Sequence, residues 1–438
     1  MTTNFADKFS RLVALKPVAA RTLSPLDPEP SISEHGLARM IGATIAKTRF
    51  GEHLSVRNWY STPEAESFSP SVIDLLMRAK NFELTKKQRA ALDDPSRWLF
   101  LDTETTGLAG GTGTYAFLIG VAWWDAGGLQ VEQFLMRDFA EEHSALSELA
   151  SRLEERSVLV TFNGKTFDWP LLENRFTMTR SIRVPNLAAH LDLLHPARAI
   201  WRLRLGSVRL SELERQVLDP ARLGWTREDD VPSAQIPQFY FDFLRGGPAT
   251  PLAGVVRHNA MDLRGLAALV GKIDSLLCAE ARHEETDGLD LFGVSRFLHR
   301  RGERGRAHQI CAQALQIGLP DEHRQRATFE LAHHAKRNGE HEAAARLWEQ
   351  IVSDSHQGIA ACEQLAIHHE RHEKDPRRAL EFVELALMNL RKAMFLSRDR
   401  YATPRLMRCE EQLIRRRDRL RIKCDAPLPL LKAKAVKN

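Results

Sequence analysis

The sequence predicts an α/β domain, a mixed sheet flanked by helices, followed by an all-α domain of helical repeats. Three observations carry this. From Trp98 three apolar runs of strand length follow one another, "WLFLD", "TYAFLIGVAWW" and "LQVEQFLM". A helical pattern, a fourth apolar run and a second helix start come next, so strands and helices build one layered unit. Past residue 285 only helical periodicity remains, and it recurs at a near-constant spacing.

Residues 1–97 read as a partly disordered N-terminal extension. It holds a short amphipathic helix near Phe5 to Leu15, a loop over residues 20–35 with three prolines, and "TRFGEHLSVRNWY", which can form two strands turning near Gly51. The unit expected over residues 98–284 begins with the three strands. "DAGG", Asp125 to Gly128, supplies the hairpin turn between the second and third. "EEHSALSELASRLEER" then places Leu146, Leu149 and Leu153 on one helix face, "SVLVTFNG" is a buried strand ending in a turn, and "KTFDWPLLENRF" starts a helix. Pro220, Pro232, Pro237, Pro248 and Pro251 predict a long irregular connection with short helices, and a helix from about His258 to Leu277 closes the unit. In residues 285–395 three helix–turn–helix patterns align on Gly302, Gly339 and Asp375, at offsets of 37 and 36 residues. They resemble tetratricopeptide repeats, whose period is about 34, and such pairs must stack to bury their apolar faces.

Residues 396–438 read as a basic tail. From Arg391 onward fifteen Lys/Arg face five Asp/Glu, although the whole 438-residue chain carries a net charge of only +5. Such a segment either attracts phosphates or is a solvated helix face with a frayed end. With 43% hydrophobic and 27% charged residues the composition is globular. No continuous apolar stretch has the length of a membrane span, and the first residues do not pattern as a signal peptide. The five cysteines lack CxxC or CxxH spacing and read as reduced thiols of a cytoplasmic protein, without a zinc site.

Within "WLFLDTETTGL", Asp102 and Glu104 lie one residue apart at the end of a buried strand. The two-residue alternation of a strand points both carboxylates to one side, where oxygen ligands suit Mg²⁺ or Mn²⁺. "FNGKTFDWPLL" adds Asn163, Phe167 and Asp168 at a strand-to-helix junction, and "RHNAMDLRGL" puts His258 and Asp262 one turn apart on a helix. In this order the three motifs, D-x-E, N-x3-F-D and H-x3-D, resemble those of the DEDD superfamily of ribonuclease H-like 3′→5′ exonucleases, over Trp98 to about Leu277. The histidine stands four residues before the aspartate, the spacing at which one DEDD branch has tyrosine. Together with "HLDLLHPARAIW", "DDVPSAQIPQFYFDFL" and the H-N-x-x-D sequence of His258, Asn259 and Asp262, this looks like the YprB-type ribonuclease H-like branch.

The resemblance implies roles residue by residue. Asp102 would bridge two divalent ions, Glu104 and Asp262 would complete one site, and Asp168 would hold the second mainly through water. Two such ions about 4 Å apart activate a water and stabilise the leaving oxygen. His258 would orient or deprotonate that water, or else hydrogen-bond a phosphate or brace a carboxylate. Other motifs stay open. His190, Asp192 and His195 either ligate metal or brace a helix. Arg198, Trp201, Arg202, Arg204 and Arg209 line a single-strand groove or form an ordinary amphipathic helix. Asn163 touches substrate or simply makes a turn, and the paired histidines at 333–334 and 368–369 are surface or packing. The function this predicts is a two-metal 3′→5′ exonuclease on single-stranded DNA or RNA, with repeats that dock a protein partner or guide substrate. The rival is a binding or scaffold protein whose nuclease fold is inactive.

Overall fold

The computed structural model describes residues 34–61, 69–77, 84–107, 113–219, 221, 224–227, 229–278, 285–353, 355–396 and 403–425. The helix expected near Phe5 and nearly all of the proline-rich loop lie outside the described residues. At the centre is a seven-stranded mixed sheet in the order β1-β2-β5-β4-β3-β6-β7. Its strands are β1 (Thr44–Thr48), β2 (Gly51–Ser61), β3 (Trp98–Thr105), β4 (Ala116–Asp125), β5 (Gly128–Leu135), β6 (Val158–Thr161) and β7 (Ala189–Asp192).

Strands β3, β4 and β5 are antiparallel neighbours. Ala126 and Gly127, with φ of 50° and 75°, close the β4–β5 hairpin in the left-handed conformations that a two-residue turn demands. Strands β6 and β7 join β3 in parallel, which requires crossovers. Helices α1 (Glu34–Ile41), α2 (Pro70–Met77) and α3 (Lys86–Leu92) precede β3, and α4 (Glu142–Glu155) and α5 (Asp168–Thr179) form the crossovers. Alternation along β3 divides the core. Leu99 and Leu101 pack with Leu149, Leu153, Leu172 and Phe176 on one face. Trp98 and Phe100 pack on the other with α6 (Leu194–Leu205) and, beyond the short α7 (Ile236–Leu244), with α8 (Thr250–Leu277).

Three elements differ from the sequence expectation. The sheet does not begin at residue 98: β2 pairs with β5 from Leu54↔Leu135 to Ser61↔Gly128, so part of the expected extension is an integral strand. Its alternation is legible, with Leu54 and Val56 buried, but no local pattern names its partner. Strand β7 spans only four residues, too few for a periodic signal. Helix α8 starts at Thr250 rather than near His258, because Pro251 sits in its first turn, where a missing N–H leaves no bond unmade.

The helical region contains α9 (Gly288–Arg300), α10 (Arg304–Ile317), α11 (Asp321–Arg337), α12 (His341–Glu349), α13 (His356–His368), α14 (Pro376–Leu396) and α15 (Thr403–Asp425). Gly302 and Gly339, at φ of 90° and 84°, and Lys374 at 58° make the turns near the expected positions. The change of character at residue 285 is not a break in the core. Leu291, Phe292, Val294, Phe297 and Leu298 of α9 join one apolar cluster with Ile200, Trp201, Leu269 and Ile273. Gly293 lies so close to α6 that a Cβ would meet the Ile200 carbonyl oxygen at 2.1 Å. The described part of the basic tail is helix α15, which buries Leu413 and Leu420. Arg416, Arg419 and Lys423 surround Glu370 at 3.4, 2.8 and 2.7 Å, so these cations are engaged internally. Among the described residues no helix is long and apolar enough to cross a membrane.

Candidate metal-binding active site

The end of β3 brings Asp102 and Glu104 beneath α8, which carries His258, Asn259 and Asp262. Glu104, His258 and Asp262 offer ligand atoms that all lie within 4.8 Å of one another. Histidine Nε2 stands 3.8 Å from Glu104 Oε1 and 3.6 Å from Asp262 Oδ2. Among the described residues no other group of three His, Cys, Asp or Glu comes as close.

Asp102 and Asp168 are held just outside this triad by their own partners. The Asn259 amide donates to Asp102 Oδ2 at 2.7 Å, and Gln133 Nε2 donates to Asn259 Oδ1 at 2.8 Å. Gln133 and Asn259 are both fully buried, so the chain of amides fixes the carboxylate. Gly120 makes room for it: a Cβ there would meet Asn259 Oδ1 at 2.0 Å. Asp168, at the first position of α5, accepts from Thr103 Oγ1 at 2.5 Å.

Burial, and then the charges of Asp262, Glu104 and Asp168, push the Asp102 carboxyl well above the ordinary range. Burial likewise raises Glu104, with Asp262 and Asp168 adding to it, and burial raises Asp168. These acids converge with too little positive charge to stabilise their ionised forms. A divalent cation would supply it, and a set of carboxylate oxygens suits such an ion.

His258 is oriented from behind. Its Nδ1 donates to Asp230 Oδ1 at 2.8 Å, which leaves Nε2 facing Glu104 and Asp262. Burial opposes the charged form of Asp230, yet Arg227 and His258 outweigh it and hold the carboxyl below its usual value. Arg227 binds Glu214 at 2.6 and 2.8 Å and Asp230 at 2.7 Å, and its Nη2 donates to Asp262. Glu214 is buried, and Gly265 of α8 admits it: a Cβ at Gly265 would meet Glu214 Oε1 at 2.1 Å.

Burial and bonding bear on several of the open sequence readings. Asp192 accepts from the backbone N–H of Asn163 at 2.8 Å, Lys165 at 3.1 Å and Leu194 at 3.1 Å, so it braces the turn before α5 and the start of α6. His190 pairs with Thr161 Oγ1 at 2.9 Å, and burial pushes it down to about 4. Asn163 has φ of 70°, the turn-forming role. Trp201 is 1% exposed and Arg204 binds Asp290, which is the amphipathic-helix reading of that segment. His368 and His369 are buried and bond Glu373.

Arg227 and Asp230 sit in the irregular connection, where no period relates them to α8, and Glu214 lies in a short helical segment before it, so none of the three is assigned a role from sequence, although Asp230 falls within the quoted "DDVPSAQIPQFYFDFL". Asn259 had a signal. A glycine inside the apolar run "AFLIGVAWW" marks a close approach, and a polar residue beside His258 on the closing helix is what approaches it.

A family model described as RNase_H superfamily matches residues 99–273, a span that contains every one of these motifs. The chain is also 31% identical over 292 residues to the uncharacterized protein YprB of Bacillus subtilis (strain 168). That alignment covers 66% of this chain and 68% of YprB.

Proposed function

The chain belongs to the ribonuclease H superfamily, in the family of YprB, and from that membership we propose that it is a metal-dependent 3′→5′ exonuclease acting on single-stranded DNA or RNA. The observation that carries the reading is the His258 ring held by Asp230 with Nε2 aimed into the acids Glu104 and Asp262. Asp102, Glu104 and Asp262, with Asp168 at the margin, are the residues to hold two Mg²⁺ or Mn²⁺ ions. Those ions would supply positive charge for the attacking and leaving oxygens of a phosphodiester.

The chain's own residues do the rest. His258 Nε2 takes the proton of the attacking water, and Asp230 fixes the tautomer that makes this nitrogen an acceptor. The Gln133–Asn259 amides keep Asp102 in place before any ion arrives. Phe167, 56% exposed beside Asp168, offers a face for the terminal base.

One contact favours a second reading, an inactive nucleic-acid-binding or scaffold protein. The Arg227 guanidinium already rests on Asp262 and supplies part of the charge an ion would bring. Single strands of DNA and RNA labelled at either end, incubated with Mg²⁺, Mn²⁺ or EDTA, separate the two. The enzyme shortens strands from the 3′ end only with the metal, and Asp262→Asn loses at least about 10²-fold in rate. Intact strands with either ion, at every protein concentration tried, leave the scaffold.

A further inference from the structure

Away from the sheet, α9, α10, α11 and the start of α13 enclose a cavity of about 510 Å³. Its volume lies within the usual range of ligand sites, roughly 300–1,000 Å³. Arg296, Arg300, Arg326 and Arg337 converge on it, and Glu330 is the only acid among its described lining residues. Arg326 lies 3.5 Å from Glu330, whereas Arg296, Arg300 and Arg337 form no ion pair among the described residues. Burial, and then the charges of Arg326 and Arg300, push the half-buried Arg296 guanidinium below its ordinary value. Like charges gathered in this way create a field that an anion relieves.

The rest of the wall is uncharged and largely aromatic. His308 on the cavity wall is 8% exposed, and its Nδ1 has no hydrogen-bond partner. That atom has almost no accessible surface and the His334 ring lies 3.5 Å from the His308 ring, centroid to centroid, so His308 stiffens the cavity wall without adding a charge to it. Burial first, then His334 and Arg337, push its imidazole down to about 4, so at neutral pH the ring is uncharged and can donate or accept. Phe329, half-buried and edge-on to His333 at 4.5 Å, adds an aromatic ring.

We propose that this cleft holds a segment of single-stranded nucleic acid, with its phosphates on Arg296, Arg300 and Arg337 and a base against Phe329. Free phosphate would use the cations and leave the ring idle, and an acidic peptide brings no flat base to stack on it, whereas a strand uses both. The choice of ligand rests on the nuclease reading. The core shared by α9 and α6 ties the cleft to the catalytic sheet, so a bound strand would be presented by one rigid body.

The test is fluorescence anisotropy of a labelled single strand with the full-length protein in EDTA, where hydrolysis does not run. Arg300→Glu with Arg337→Glu, both at exposed positions, is compared with the matched control Arg324→Glu with Arg346→Glu outside the cleft. The cleft variant should bind about tenfold or more weakly, and its slope of log K against log salt should fall by roughly 1.4, at about 0.7 per phosphate contact. The control should bind as the wild type does. Equal binding by the cleft variant, equal loss in the control, or no binding by the wild type overturns the proposal. So does a polyglutamate peptide that binds more tightly than the strand and displaces it, which would assign the cleft to an acidic protein. Cleavage is scored separately with Mg²⁺ or Mn²⁺. A wild type that binds in this way but never cleaves sinks the nuclease reading and leaves the cleft standing. A wild type that cleaves while the cleft variant binds unchanged does the reverse.

Discussion

Asp102 shows how one residue links stability to function. Its carboxyl is raised by burial first and by three neighbouring acids next, so in the absence of metal its ionisation works against the fold. Asp102→Asn keeps the shape and the Asn259 contact while removing the charge. In EDTA at neutral pH its melting temperature should equal or exceed that of the wild type, and Mg²⁺ or Mn²⁺ should raise the wild type more than the variant. Cleavage should be lost. A variant that melts lower in EDTA and gains as much from metal as the wild type would show that Asp102 is structural. Asp230 makes a different prediction, because it touches His258 and acts through it. Asp230→Asn keeps a polar side chain of the same size but no longer demands a proton on Nδ1. Residues that support a reacting group from behind are worth about 10- to 100-fold, and the loss should fall on kcat with KM little changed. It should also vanish in a His258→Ala background, since nothing is then left to orient. Independent, multiplying losses would show that Asp230 serves Arg227 instead.

At the scale of elements, what the sequence made legible was whatever repeats locally. Strands β3, β4 and β5, the hairpin at Ala126 and Gly127, and helix α4 all follow from alternation, turn residues and three leucines in register. Asp102, Glu104, Asp168, His258 and Asp262 could be singled out as candidates because each sits at a fixed offset inside such an element. The placement of β2 was not legible, since pairing Leu54 with Leu135 is a relation across about eighty residues with no local trace. The same strand carries a testable polar group. His53 is fully buried, its Nδ1 lies 2.8 Å from Ser144 Oγ on α4, and burial pushes its imidazole down to about 4. An unfolded histidine titrates near 6.5, so between these values the unfolded chain binds more protons than the folded one. Stability from this group is therefore full above pH 6.5 and is lost as pH falls towards 4, by up to about 3 kcal/mol. Melting curves from pH 7 to 5 should fall less steeply for His53→Gln than for the wild type. Parallel pH dependences would mean that His53 takes up its proton in the folded state as readily as in the unfolded chain.

The whole molecule is organised around a core that crosses the compositional change at residue 285. From the sequence, cutting there would release an intact catalytic domain, because every motif precedes that point. The packing argues otherwise. Helix α9 buries Leu291, Phe292, Val294, Phe297 and Leu298 at 3% exposure or less against α6 and α10, and Asp290 receives the Arg204 guanidinium at 2.7 Å. Fully burying a large apolar side chain contributes about 1.5–3 kcal/mol, so even the share of this burial made against α6 rather than α10 is a sizeable part of the stability of an ordinary domain. Deleting residues 285–438 strips this layer, exposes the α6 face around Ile200 and Trp201, and leaves Arg204 without its acid. That fragment should aggregate or melt without a cooperative transition. Deleting residues 319–438 keeps α9 and α10, and with them the cover over α6, while removing α11 and the cationic cleft. This longer fragment should melt cooperatively, trim short oligonucleotides with metal and bind long single strands more weakly than the full chain. The comparison is read from calorimetry and from cleavage of oligonucleotides of graded length. If the fragment ending before residue 285 melts as sharply and as high as the one ending before residue 319, the contact between α6 and α9 is incidental. The helical repeats would then be a separable appendage rather than one wall of the nuclease core.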